Sequence, residues 1–165
     1  MIEPYVVTIS VRPVDAALAA APDVFVEEMV PAIVEGQMLL EREVRERTPT
    51  SGAGTLRDSI GALPVVLAAD KVSGAVGTSL AYVLPVELGA RPHRPPVEPL
   101  ADWVRRKLSK TGKEARATAF AIAAKIAKEG TPAHHMFAQG LAATQGQIQE
   151  LLAAAADRAV GRIAP

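Results

Sequence analysis

Apolar side chains recur along this chain with two different periods, and each change of period marks a new element. Residues Pro4–Val11 (PYVVTISV) are dominated by β-branched and aromatic side chains, which predicts a strand over 4–11. Pro13 is placed to open a short helix over Val14–Ala21, and Pro22 with Asp23 to start another, since proline's fixed φ suits a first helical turn. From there the spacing is helical: Phe25/Val26, Met29/Val30, Ile33/Val34, Leu39/Leu40 and Val44. Glu27, Glu28, Glu35, Glu41, Glu43, Arg45 and Arg47 put charge mainly on the other side. Glu41–Arg45 and Glu43–Arg47 stand four apart with the acid first, the favourable order. The pattern predicts a long amphipathic helix over 22–47, which Pro31 should kink or divide because it lacks an N–H.

Thr48-Pro49 ends that helix, and the polar segment Thr50–Thr55, with Gly52 and Gly54, reads as a surface loop. Residues 56–78 read as a hairpin region: Leu63–Ala69 and Val72–Thr78 are β-rich runs on either side of Asp70-Lys71. Pro64 fits a strand start or an edge, and Gly74 and Gly77 suggest a bulge or a close backbone approach. A sheet edge should therefore be exposed in the isolated subunit, where a neighbouring copy could cover it. Gly89–Pro96 is too rich in proline for helix or sheet and predicts an extended arm. Three helical patterns follow, over Val97–Leu108, Glu114–Glu129 and Gln145–Arg162. Gly130 is placed to cap the second, and Thr131-Pro132 to open a further turn. The expected architecture is one α+β domain over 1–165. In it a long N-terminal amphipathic helix packs on a small antiparallel sheet with a β-hairpin, and several helices follow over 97–163.

Composition narrows the function classes. Hydrophobic residues make up 49% of the chain but aromatics only 4%, so the core must be built from many small side chains. The absence of cysteine excludes disulfides, thiol catalysis and thiolate metal sites. Met1-Ile2-Glu3-Pro4 lacks the basic and apolar regions of a signal peptide, and no apolar run approaches the ~20 residues of a membrane span. A soluble protein made in the cytoplasm, with no membrane partner, is expected. The net charge is zero yet unevenly spread. Residues 1–90 carry 12 acidic and 6 basic side chains, and residues 91–165 carry 6 acidic and 12 basic. Either this is a biased solvated surface, or the acidic part of one copy meets the basic part of the next. The segment 91–128, with 10 basic and 3 acidic residues, could instead contact nucleic acid, although one Trp and one Phe make a poor stacking platform.

No catalytic, cofactor or metal constellation emerges, and no small-molecule substrate is implied. The loop around Gly52 follows a helix and has no lysine, unlike a phosphate-binding loop. His134 and His135 are adjacent, so on a helix they point about 100° apart and cannot form a zinc-binding i,i+4 pair. A helix-end role is expected for them, one packing near Phe137. Ser59 beside Asp58 lacks a nucleophile elbow. The glutamates of the long helix fit a solvated polar face better than an acid–base pair.

The order of motifs is more informative. The long helix leads into T-P-x-x-G-x-G-x-L-R-x-S-I at Thr48–Ile60, which includes Gly52, Leu56, Arg57, Ser59 and Ile60. The hairpin ends in V-G-T at Val76–Thr78. Then comes A-Y-x-x-x-V-E-x-G, with Ala81, Tyr82, Val86, Glu87 and Gly89, and after it the arm bearing Arg91 and Arg94. This ordered set, from about Val24 to Phe137, resembles the tail-component family of long-tailed bacteriophages, also called neck or head–tail joining proteins. Trp103-Val104-Arg105 and the segment from Ala119-Phe120 to Gly130-Thr131-Pro132 resemble a subset of it. Where many relatives end soon after a G-x-P-F-like segment, this chain has His134-His135-Met136-Phe137 and a further helix.

The resemblance implies a non-enzymatic virion subunit, synthesised in the bacterial host. It would form a homo-oligomeric ring at the neck or tail top, for head–tail joining or tail completion, with tail terminator as a variant role. Its implied partners are other copies of itself, adjacent head-completion and tail proteins, and DNA passing through the channel. It brings no catalytic residues, and it leaves Gly52, Leu56, Arg57, Ser59, Ile60, Tyr82, Glu87, Gly89, Arg91 and Arg94 as assembly candidates. From its position between hairpin and arm, Glu87 is expected either to anchor them by an ion pair with Arg57 or a basic neighbour, or merely to solvate the hairpin base together with Arg57.

Overall fold

The computed structural model describes residues 5–12, 21–50, 54–68 and 71–163. The chain is α+β, with a four-stranded antiparallel sheet and six helices among the described residues. Strand β1 (Tyr5–Val11) leads to helix α1 (Pro22–Arg47) and the short helix α2 (Thr55–Ser59). Strands β2 (Gly61–Ala62), β3 (Val66–Ala68) and β4 (Lys71–Thr78) come next. Helices α3 (Val83–Leu88), α4 (Val97–Leu108), α5 (Gly112–Glu129) and α6 (Met136–Ile163) complete the chain. Residues 14–20 of the short helix expected over 14–21, and the loop residue Gly52, lie outside the described residues.

β4 is the central strand, paired with β1 from Val72 to Thr78 and with β2 and β3 on the other side. Ile9, Val72 and Val76 face α1 from the sheet. From the helix, Phe25, Met29, Ile33, Leu40 and Val44 enter the same core at i, i+4 and i+7 spacings. Each such side chain, taken fully from water, contributes about 1.5–3 kcal/mol. α6 packs along α1 as a second helix of the layer, adding Met136, Phe137, Ile148, Ala155 and Ala159. Glu28 of α1 clasps Arg158 and Arg162 of α6 at 2.9 Å each, and these guanidinium hydrogen bonds hold its carboxyl below the usual carboxylate range. α1 is one element through Pro31, so the expected division of the helix does not occur.

The hairpin is more broken than its sequence suggests. β2 and β3 pair with β4 in registers one residue apart, so the Leu63-Pro64-Val65 segment is a bulge. A stripe on α1 seals it. Gln37, 2% exposed, donates to the carbonyls of Leu63 and Ala75 at 2.8 Å each. One turn on, Glu41 accepts the Ala62 N–H at 2.9 Å, and a turn further Arg45 donates to the Ile60 carbonyl at 2.9 Å. Side chains at i, i+4 and i+8 thus satisfy the edge of β2, while β3 stays open, with Val66 and Leu67 more than half exposed. The expected Glu41–Arg45 and Glu43–Arg47 pairs both form. Residues 56–59, expected in the hairpin region, form a helical turn with the loop residue Thr55 instead, because Gly54 at φ +69° bends the chain into it.

α4 and α5 are built separately. Their core is Ala101, Val104, Ala115 and Ala119, with Trp103 and Ile122 packed around it, and it does not merge with the main core. The two helices leave and rejoin the body at one point, where Ala90 and Thr131 pair as an antiparallel bridge. Lys107 also reaches the Thr50 carbonyl, at 3.0 Å.

Candidate assembly surface

The motif residues fall into two groups once the chain is folded. Leu56 and Ile60 are buried in the core under α1. The Ser59 hydroxyl donates to the Leu56 carbonyl and lies 2.7 Å from the Thr78 hydroxyl, tying the short helix to the end of β4. These residues fix the path from helix to sheet, so their signature is architectural.

Glu87 is the least expected of the set. It is 1% exposed, and its carboxylate accepts the backbone N–H groups of Phe137 at 3.0 Å and Ala138 at 3.1 Å. It therefore caps the first turn of α6, where unpaired N–H groups and the positive end of the helix dipole favour an anion. The expected ion pair with Arg57 is not formed, and Glu87 pairs with no other basic side chain among the described residues. His134 and His135 donate their backbone N–H groups to the carbonyls of Val86 and Glu87, so the two segments run together into the cap. The ring of Phe137 packs on Tyr5, with centroids 4.9 Å apart, while both histidines are exposed. Burial, and then the charge of Glu87, push the Tyr5 phenol above its usual range.

Gly89 closes this junction. Its φ is +75°, and a Cβ there would lie 2.6 Å from the Thr131 carbonyl oxygen. Only glycine lets the chain turn and pair at Ala90, whose N–H meets both the Thr131 carbonyl and its hydroxyl. Thr131-Pro132, expected to open a helical turn, is thus the return strand of a clip. The helix starts later, after His135 at φ +51°.

The second group is exposed. Arg57 stands over a groove of about 350 Å³ with Met38, Glu41 and Glu46, and joins no ion pair among the described residues. Tyr82 is 46% exposed at the start of α3. Arg91 and Arg94 project from the arm, where the His93 ring nitrogen Nδ1 meets the Arg91 carbonyl at 2.9 Å. Among the described residues, no group of three or more His, Asp or Glu side chains is placed to hold a metal ion. No helix of the described chain is long and apolar enough to cross a membrane.

Charge follows the same architecture. The excursion 91–130, clipped at Ala90 and Thr131, carries ten basic and four acidic side chains. The rest of the chain carries eight basic and fourteen acidic ones. The divide near residue 90 and the basic segment 91–128 are legible in the sequence, but not that the ends of that segment are clipped together, because the bridge joins residues 41 apart. The molecule is an acidic body bearing a basic helical hairpin. No protein-family model matches the chain, and no curated protein or solved structure is detectably similar to it.

Proposed function

We propose that the chain is a structural subunit of a tailed phage particle, assembling with other copies into a ring at the neck or tail top. The observation that carries this reading is the ordered pair of motif blocks, Thr48–Ile60 and Ala81–Gly89. Their buried members brace the fold, and their exposed members, Arg57 and Tyr82, with Arg91 and Arg94 of the arm that follows, stand where a neighbour can reach them. The polarity of the molecule supports the same reading. A ring of identical subunits needs two different, mutually complementary surfaces on each copy, and an acidic body with a basic hairpin offers them. Head-completion and tail proteins are the flanking partners in this reading, and the chain performs no catalysis.

A second reading is favoured by one observation. The segment 91–128 holds ten basic residues against three acidic, on a hairpin set apart from the main core, which suits salt-sensitive contact with DNA phosphates. The two readings separate when the purified chain is incubated with phage heads and tails and imaged by negative stain, beside a binding titration with duplex DNA. Density at the junction between head and tail supports the structural reading. DNA binding by the free chain with no particle association supports the other.

A further inference from the structure

Helix α5 is apolar on two sides, and only one of them is covered. Ala115, Ala119 and Ile122 face the core with α4, whereas Phe120 and Ala124 turn away from it and are exposed, with Ala123 and Ala127 half-buried between the two sides. Phe120 is 52% exposed there, with the Arg116 guanidinium 6.0 Å from its ring centre. With Arg94, Pro95 and Val97 from the arm and α4, these residues frame a shallow alanine-floored face of about 430 Å³, edged by Arg94 and by Arg116, which also pairs with Glu98 at 3.6 Å in a solvent-exposed contact. The core between α4 and α5 is built of small side chains and leaves this second apolar strip of α5 uncovered.

The body carries the matching surface. Where α1 and α6 meet on the outside, Leu39, Leu151 and Ala154 floor a groove of about 390 Å³, and Glu35 and Glu150 rim it. Neither carboxylate joins an ion pair among the described residues, unlike Glu27, Glu28, Glu41 and Glu43 on the same helix as Glu35. Next to it α1 exposes Val34 at 41% and Met38 at 65%.

The geometry points to a contact between copies in which the Phe120 face of one chain seats in the α1–α6 groove of the next. Phe120 fills the groove over Leu39 and Leu151, while Arg94 and Arg116 meet Glu35 and Glu150. The alanines at 123, 124 and 127 let the helices approach closely. An aromatic anchor ringed by complementary charge is the usual make-up of an interface hot spot. A second copy is the occupant because face and groove are opposite in charge, and because the acidic excess lies wholly outside the hairpin. The contact is head-to-tail, so every copy keeps one face and one groove free, and repetition closes a ring or grows a filament. The inference rests on the ring reading for that closure alone.

Charge exchange tests it. One full-length variant carries Glu35→Lys and Glu150→Lys, which makes both its surfaces basic. The other carries Arg94→Glu and Arg116→Glu, which makes both acidic. All four side chains are exposed, so circular dichroism should match the native chain. Sedimentation velocity should show the native chain self-associating, each variant alone weakened roughly a hundredfold, and an equimolar mixture restored to within about threefold of native. Phe120→Ser should weaken the native contact by at least about tenfold. A native chain that stays monomeric up to about 1 mM overturns the inference, as does a mixture no more associated than its parts. So does a hairpin that binds duplex DNA while the copies remain apart. Self-association that ignores all four substitutions also overturns this contact, yet leaves the phage reading standing. That reading fails separately, if associating chains show no affinity for phage heads or tails.

Discussion

The carboxylate of Glu87 accepts the backbone N–H of Phe137 at 3.0 Å across 50 residues of sequence, in a buried site. A single side chain thereby fastens the end of α3 to the start of α6 and fixes the point from which the basic hairpin departs. Glu87→Ala should cost about 2–4 kcal/mol, since it removes a cap and leaves one buried and one part-buried N–H group without an acceptor. Glu87→Gln keeps one acceptor oxygen and should cost about 1–2 kcal/mol. Urea unfolding of both variants checks the order. Equal losses would mean that packing volume, and not the cap, is what Glu87 supplies.

Tyr5 reports on the same junction. Its phenol is raised above the usual range by burial first and by Glu87 second. For a group that is neutral when protonated, a raised folded-state pKa means that the folded chain holds its proton longer. The stabilisation is complete below the unfolded pKa of about 10 and is lost as pH rises through the folded value. Absorbance titration of tyrosinate should show one late component that disappears in Tyr5→Phe and moves to lower pH in Glu87→Gln.

Gln37 should be as demanding as any apolar core residue. Gln37→Leu keeps the volume but leaves the Leu63 carbonyl without its donor, at a cost of about 1–3 kcal/mol. Gln37→Glu should cost more at neutral pH, because a carboxylate would then face two carbonyl oxygens. Part of that loss should return on acidification, when the carboxyl is protonated and can donate. Thermal melts at two pH values measure both effects.

These two residues also mark what could be read from the sequence. The strand at Tyr5–Val11, the helix at Pro22–Arg47 and the helix at Val97–Leu108 were legible, because periodicity and proline placement act locally. The start of α6 was read nine residues late, at Gln145 instead of Met136. Gly140 and Gly146 weaken the helical signal there, yet Gly140 is where α6 comes against α1, and a Cβ would stand 2.7 Å from a Val44 methyl. Glycine chosen for close approach looks like a helix breaker when its neighbour is unseen. Glu87 and Gln37 were misread or passed over for the same reason, since their partners lie 50 and 26 or more residues away. Of the candidate site, Arg57, Tyr82, Arg91 and Arg94 are exposed, while Leu56, Ser59, Ile60, Glu87 and Gly89 serve the fold.

The separate cores predict uneven stability. Backbone amides of α4 and α5 should exchange with solvent through local opening, at least tenfold faster than those in the middle of α1 and α6. Hydrogen exchange followed by mass spectrometry reads this directly. In an assembled sample the α5 amides should slow while α1 changes little. Uniform exchange across all four helices would mean the hairpin is not an independent unit.

The most direct test of the structural role is deletion of the reading frame from a tailed phage that encodes it, with electron microscopy of the lysate. The account predicts DNA-filled heads and tails that are separate or incompletely joined, and whole particles again when the intact chain is supplied in trans. Infectious particles of normal appearance without the chain would contradict it.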